Sequence, residues 1–386
     1  MTDPGEIGVY VHWPYCARIC PYCDFNVVRD RGGADEPAAL ARAIAADLAA
    51  QSEQIGPRRL VSLFFGGGTP SLMAPDAVAA ILETARRAFE PAADLEVTLE
   101  ANPTDAEAAR FGAYAAAGVN RLSLGVQSLV DDALAFLGRN HDAAEARRAA
   151  AVARRAFPRL SIDLIYARPG QTAASWREEL AAAVDLGAEH VSAYQLTLEP
   201  GTAFDRQVRR GRWAPPEPDA AGALFEATED VLGRAGYESY EVSNHARGAA
   251  ARSRHNLLYW RGGDWLGVGP GAHGRLTVAG ERWSTLTPRK IGDYVGRVEA
   301  AGCGVVERAR LSPVEAAQER LLMGLRTIEG VALGELAALD PDPAAISDLV
   351  RAGLIRQGGA RLIATSAGRA VLDRVTLELA HSARAG

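Results

Sequence analysis

Cys16, Cys20 and Cys23 lie together in the stretch YCARICPYCDF. The spacing C-x3-C-x2-C offers three thiolates to one centre. A structural zinc is normally closed by four protein ligands drawn from paired short spacings. No such pair follows here, and under a zinc reading the fourth donor is left to His12 or to the remaining cysteine, Cys303. A [4Fe–4S] cube held by three thiolates keeps one iron open to another ligand. Further groups suited to handling a charged cofactor occur downstream. Gly66, Gly67 and Gly68 carry no Cβ and let backbone approach a ligand. Glu100 supplies a carboxylate for charge-assisted hydrogen bonds.

These residues need a frame that brings them together, and the pattern of the chain supplies one. From residue 8 onward, short β-branched runs alternate with alanine-rich helical stretches. GVYVHW, RLVSLFF, DLEVTLE, VNRLSLGV, RLSIDLIY and HVSAYQL read as strands. Helices fall between them, near 104–117 and within 142–156 among others. Six such units predict an α/β fold with a parallel sheet and right-handed crossovers, an open or partial (β/α)6 barrel. The cysteines, the glycine run, Glu100 and GVQS all follow strands, where such folds gather functional groups. Tyr10 and His12 share one face of the first strand, opposite Val9, Val11 and Trp13, and are expected to point inward. GVGPGAHG contains G-x-G-x-x-G, yet RLTVAGERW after it reads as a hairpin rather than a helix, so a close-packing turn is expected. The tail beyond Leu311 reads as a helix-turn-helix with a small β wing. The expected division is residues 1–305 for the barrel with an extension and 306–386 for a C-terminal winged-helix-like domain.

The formal charge of −6 gives no general basic field for nucleic acid or anionic membranes. Between 311 and 386, eight arginines face nine acidic residues, so the tail lacks the basic surface of a nucleic-acid reader. Lys290 is the sole lysine, which excludes a P-loop. The first residues do not resemble a secretory signal, and no apolar run reaches the roughly eighteen residues of a membrane span. The expectation is a cytoplasmic protein with reduced thiols and no membrane span, peripheral membrane contact staying compatible with it.

The cysteine motif with its flanks YVHWPYC and PYCDFN resembles the signature of the radical S-adenosylmethionine (radical SAM) superfamily. The series FFGGGTPS, LEANP, RLSLGVQS, IDLIY, YEVSNHA and HNLLYW is similar to the branch holding oxygen-independent coproporphyrinogen III oxidases and haem chaperones of the HemW type. That resemblance implies that Cys16, Cys20 and Cys23 bind the cluster. The open iron then takes the amino and carboxylate groups of S-adenosylmethionine, and an electron from the cluster splits the sulfonium to a 5′-deoxyadenosyl radical. It also implies cofactor contacts at Tyr10, Tyr22, Gly67, Gly68, Thr69, Glu100, Gln127, Arg139, Asp163 and His273. The oxidase branch usually carries a further cysteine where this chain has Phe25, and phenylalanine there is characteristic of the haem chaperones. HNLLYW matches that branch's haem-associated stretch, making His255 and Tyr259 the haem candidates. The implied protein binds a cluster, S-adenosylmethionine and haem as cargo, takes electrons from a donor and hands haem to an acceptor protein. The alternatives are the oxidase itself, decarboxylating propionates, and a non-catalytic zinc-stabilised scaffold. Phe25 counts against the oxidase, and whether S-adenosylmethionine is turned over stays open.

Overall fold

The computed structural model describes residues 5–381, so both extreme ends of the expected domains, 1–4 and 382–386, lie outside the described residues. Six parallel strands lie side by side in chain order: β1 (Glu6–Trp13), β2 (Arg59–Gly67), β3 (Glu90–Ala101), β4 (Arg121–Gln127), β5 (Arg159–Tyr166) and β6 (His190–Gln195). Strand alternation decides what each side of the sheet carries. In β5, Leu160, Ile162 and Leu164 enter the main core, whereas Ser161 and Asp163 face the lumen. The helices α1 (Asp35–Ile55), α2 (Pro75–Ala88), α3 (Ala143–Ala156) and α4 (Ala173–Val184) separate the strands in sequence. Helix α3 buries Ala146, Ala149, Ala150 and Ala153, small side chains that allow close approach to the sheet. Its start is fixed by a capping box between Asp142 and Glu145, a device contributing about 1 kcal/mol.

The sheet does not close on itself. Beyond β6 it continues through an antiparallel edge made by β7 (Glu238–Glu241) and β8 (Asn244–Ala246), with β8 lying against β6. Beyond β1 it continues through the parallel β9 (Asp264–Val268) and the antiparallel β10 (His273–Val278), β11 (Glu281–Leu286) and β12 (Glu307–Arg310). The expected hairpin is β10–β11, turned by Ala279 and Gly280 at φ 52° and 80°, as a tight two-residue connection requires. GVGPGAHG is a close-packing turn: a Cβ on Gly269 would stand 2.3 Å from the His12 carbonyl oxygen, and one on Gly267 2.2 Å from that of His273.

The helix expected near 104–117 is broken into Asp105–Ala108 and Phe111–Ala116. Glu107 reaches back to Ser71 and the Asn102 amide, while Arg110 donates to the carbonyls of Ser71 and Met73. These bonds tie the segment to the loop after β2 instead of letting one straight helix run. Helices α5 (Pro218–Arg234), α6 (Arg254–Trp260) and α7 (Ile291–Ala301) belong to the extension. The tail holds α8 (Pro313–Gly324), α9 (Pro343–Arg351), the three-stranded sheet of β13 (Val331–Ala332), β14 (Ile355–Gly358) and β15 (Arg361–Ala364), and α10 (Leu372–His381). It has a core of its own around Leu321, Leu336, Leu362, Val375 and Leu379. Among the described residues no helix is long and apolar enough to cross a membrane.

Candidate functional site

At the carboxyl ends of the parallel strands lies a cavity of about 1420 Å³. Cys16, Cys20 and Cys23 all line it, and all are free thiols. Their loop is held by long-range bonds. Asn26 donates to the carbonyl oxygens of Pro270 at 2.9 Å and Arg289 at 2.8 Å, and its own carbonyl lies 2.9 Å from His12 Nε2. Arg139 Nη1 stands 3.3 Å from Cys20 Sγ, with Nη2 bonded to the Gly125 carbonyl at 3.0 Å and to Asn102. The Tyr22 hydroxyl joins Cys20 and Arg139. Burial pushes the Cys16 and Cys23 thiols up to about 11. Among the described residues no three His, Cys, Asp or Glu side chains surround a single ion. A cube attaches each thiolate to a different iron, so its ligands stand wider apart than those of one ion. Three thiols on one cavity rim beside a guanidinium that offsets their charge therefore fit a [4Fe–4S] cluster. Cys303 does not join them: its thiol bonds Asp47, which also takes the Tyr294 hydroxyl.

Gly67, Gly68, Thr69, Glu100, Gln127 and Asp163 line the same cavity. The glycines are required by their neighbours in the protein. A Cβ on Gly67 would fall 2.7 Å from the His12 ring, one on Gly68 2.7 Å from the Tyr15 carbonyl oxygen, and one on Gly66 2.8 Å from Phe64. Gly67, at φ 108°, directs its amide to Glu100 Oε2 at 3.2 Å. Burial, reinforced by Asp163, pushes the Glu100 carboxyl up to about 8. Burial also raises Asp163, although it accepts from Ser123 at 2.8 Å and Ser161 at 3.1 Å. Gln127 takes a left-handed backbone at φ 62°, a conformation costing about 1–3 kcal/mol in a residue other than glycine. A strained residue at a cavity wall is a feature of ligand-holding sites.

Tyr10, His12, His255, Tyr259 and His273, all expected at the site, lie outside the cavity lining. Tyr10 and His12 do share a face, their polar atoms 3.1 Å apart, with Tyr10 packed on Phe64. His273 is exposed at the start of β10. His255 and Tyr259 share a face of α6, with ring centroids 4.5 Å apart, but they belong to the opposite, amino-terminal end of the barrel. There His255 stacks on Phe64 at 4.8 Å and takes a bond between Nδ1 and Ser62 Oγ at 3.0 Å. Glu96 accepts the backbone amides of Arg254 and His255 and ion-pairs with Arg159. The HNLLYW segment is thus a plug under the lumen. Burial pushes the His255 imidazole down to about 3, so it is neutral. Residues not singled out in the sequence include Asn26, Asn102 and Arg121. The inward parity of Arg121 with Ser123 on β4 was the available signal for the last of these.

A sequence family described as "Radical SAM superfamily" matches residues 10–183. A bovine relative, "Radical S-adenosyl methionine domain-containing protein 1, mitochondrial", is 42% identical, covering 97% of this chain and 88% of its own length. "Heme chaperone HemW" of Mycobacterium tuberculosis is 36% identical over 97% of this chain and 95% of that protein. The solved structure "Coproporphyrinogen III oxidase (HemN) from Escherichia coli is a Radical SAM enzyme" superimposes with a TM-score of 0.80 at 20% identity, covering 98% and 91% of the two chains, which shows a shared fold. With the cysteine rim, the open sheet and these relatives together, the chain belongs to the radical SAM superfamily, in the group of the HemW-type haem chaperones.

Proposed function

We propose that this protein is a haem chaperone that carries a [4Fe–4S] cluster on Cys16, Cys20 and Cys23, binds S-adenosylmethionine in the cavity beside it, and delivers haem to an acceptor protein. The observation that carries the choice within the family is Phe25. It lines the cavity with 62% of its surface exposed, at the position where the oxidase branch offers a thiol. An apolar ring there provides contact area for a flat apolar cargo and no group for thiol chemistry.

When bound, the cluster supplies one electron to the sulfonium of S-adenosylmethionine. The chain's own residues hold and orient. Arg139 and Thr69 secure Cys20 and Cys16, Glu100 and Asp163 present oxygen acceptors for amino or ribose groups, and Gly67 and Gly68 keep the wall narrow. The electron donor and the acceptor of haem are proteins. Thiols kept reduced suit the cytoplasm in our reading, whereas the bovine relative is named as mitochondrial.

Anaerobic purification with iron, sulfide and haem quantified together tests the proposal. Near-stoichiometric iron and sulfide with retained haem is expected. A loaded cluster without haem overturns the chaperone reading, and so does robust consumption of coproporphyrinogen with S-adenosylmethionine and a reductant.

A further inference from the structure

At the bottom of the cavity a guanidinium makes no hydrogen bond or close ion pair among the described residues. Arg121 is 2% exposed and lines the cavity with Ser123, Glu100 and Asp163. The fields of Glu96, Glu100 and Asp163 reach it, yet no hydrogen bond or ion pair closes on its side chain among the described residues, and its Nε is buried without a partner. Glu96 is already engaged by Arg159 at 2.7 Å, and Asp163 by the serines. Burial shifts Glu100 toward its neutral form. Two further buried atoms near Arg121 lack partners: Thr98 Oγ1, directly across the β3–β4 pairing, and Nε2 of His255, whose imidazole feels its charge. Buried charges are normally paired, and a guanidinium is shaped to take a carboxylate through two parallel bonds.

We infer that Arg121 is a carboxylate-binding residue, receiving at the cavity floor a carboxylate carried by the ligand. Of the ligands of the proposed function, haem brings a propionate free for this contact, whereas the carboxylate of S-adenosylmethionine is expected on the open iron at the rim. The inference rests on that function for the identity of the ligand, and it can fail while that function stands.

The test measures binding of haem, haem dimethyl ester, S-adenosylmethionine and 5′-methylthioadenosine to the full-length, anaerobically reconstituted protein and to Arg121→Met and Arg121→Lys. A charged hydrogen-bonded pair lost on one side predicts about tenfold to a hundredfold weaker binding of haem to Arg121→Met. The ester or the methylthioadenosine is expected to bind unchanged, and Arg121→Lys to fall between. Loss confined to haem assigns a propionate, and loss confined to S-adenosylmethionine overturns the inference. Arg121→Met is expected to stay folded with its melting point lowered only modestly, because no hydrogen bond is lost although Glu96 loses part of its counter-charge. Equal losses for ligands with and without the carboxylate, no loss for either, or a collapse of stability in both variants overturns the inference. If the wild type keeps no haem, the chaperone reading fails and this inference with it; if the wild type keeps haem and Arg121→Met binds it equally well, only this inference fails.

Discussion

The two ends of the barrel both carry a distinctive motif, and they are built in opposite ways. At the carboxyl end the cysteine loop stands on a few long-range hydrogen bonds and leaves thiols, carboxyls and an exposed Phe25 facing a cavity. At the amino end HNLLYW fills the lumen, and Ser62, Phe64 and Glu96 use most of what it offers. A motif's residue types can suit ligand chemistry while its position buries most of it beneath the cavity, where of HNLLYW only Asn256 joins the lining. The open end is arranged to bind and the closed end to be stable.

The largest expected effect breaks the open end alone. Cys20→Ser or Cys23→Ser is expected to abolish cluster assembly, with iron and sulfide near zero after reconstitution, while the thermal midpoint of the apoprotein stays close to that of the wild type. A large drop in that midpoint would show that the rim is structural. At the closed end, Glu96→Gln is expected to destabilise by about 3–5 kcal/mol, since it removes a buried carboxylate that pairs with the partly buried Arg159 and offsets the charge of the buried Arg121. His255→Ala is expected to cost about 2–4 kcal/mol through a cavity beside Phe64 and an orphaned Ser62 hydroxyl. Denaturant melts check both. If His255→Ala kept its stability and lost haem, the contrast between the two ends would collapse and the plug would be a haem ligand.

Asn26→Ala removes two bonds that pin the cysteine loop to the turn after β9 and to the chain near Arg289. The expected cost is about 1–3 kcal/mol, with a cluster that assembles at lower yield and is lost faster to a chelator. The last effect is a pH slope in the apoprotein. Glu100 titrates near 4.5 when unfolded and is pushed up to about 8 when folded. Between these values the folded state holds more protons than the unfolded, so stability falls as pH rises from about 5 to 8. Glu100→Gln is expected to flatten that slope in thermal melts, and an unchanged slope would place the titrating group elsewhere.

Much of this was legible because it is local. Strand periodicity gave the six parallel units, and eight residues held all three cysteines. The close-packing role of GVGPGAHG followed from the hairpin after it. What the sequence hid depends on contacts across long separations. Asn26 reads as one more loop residue until Pro270 and Arg289 are beside it. The glycine run suggests room for a ligand, while the fold spends that room on His12, Tyr15 and Phe64. His255 and Tyr259 are correctly paired on a helix face, but no local pattern states at which end of a barrel that helix docks. Arg121 shares its inward parity with Ser123 within VNRLSLGV, but no local pattern states that its guanidinium ends without a hydrogen bond at a cavity floor.

Residues Arg369 to Arg374 line the cavity although their helices belong to the separately cored tail. One wall of the chamber is thus contributed by the tail, which is joined to α5 through Arg369 and Glu229 at 3.4 Å and to the extension through Arg261 with Glu329 and Arg275 with Glu319. Changes in this wall alter the width and chemistry of the mouth while the strands and the thiol rim keep their geometry. What the chamber admits and what it does can in this way diverge independently.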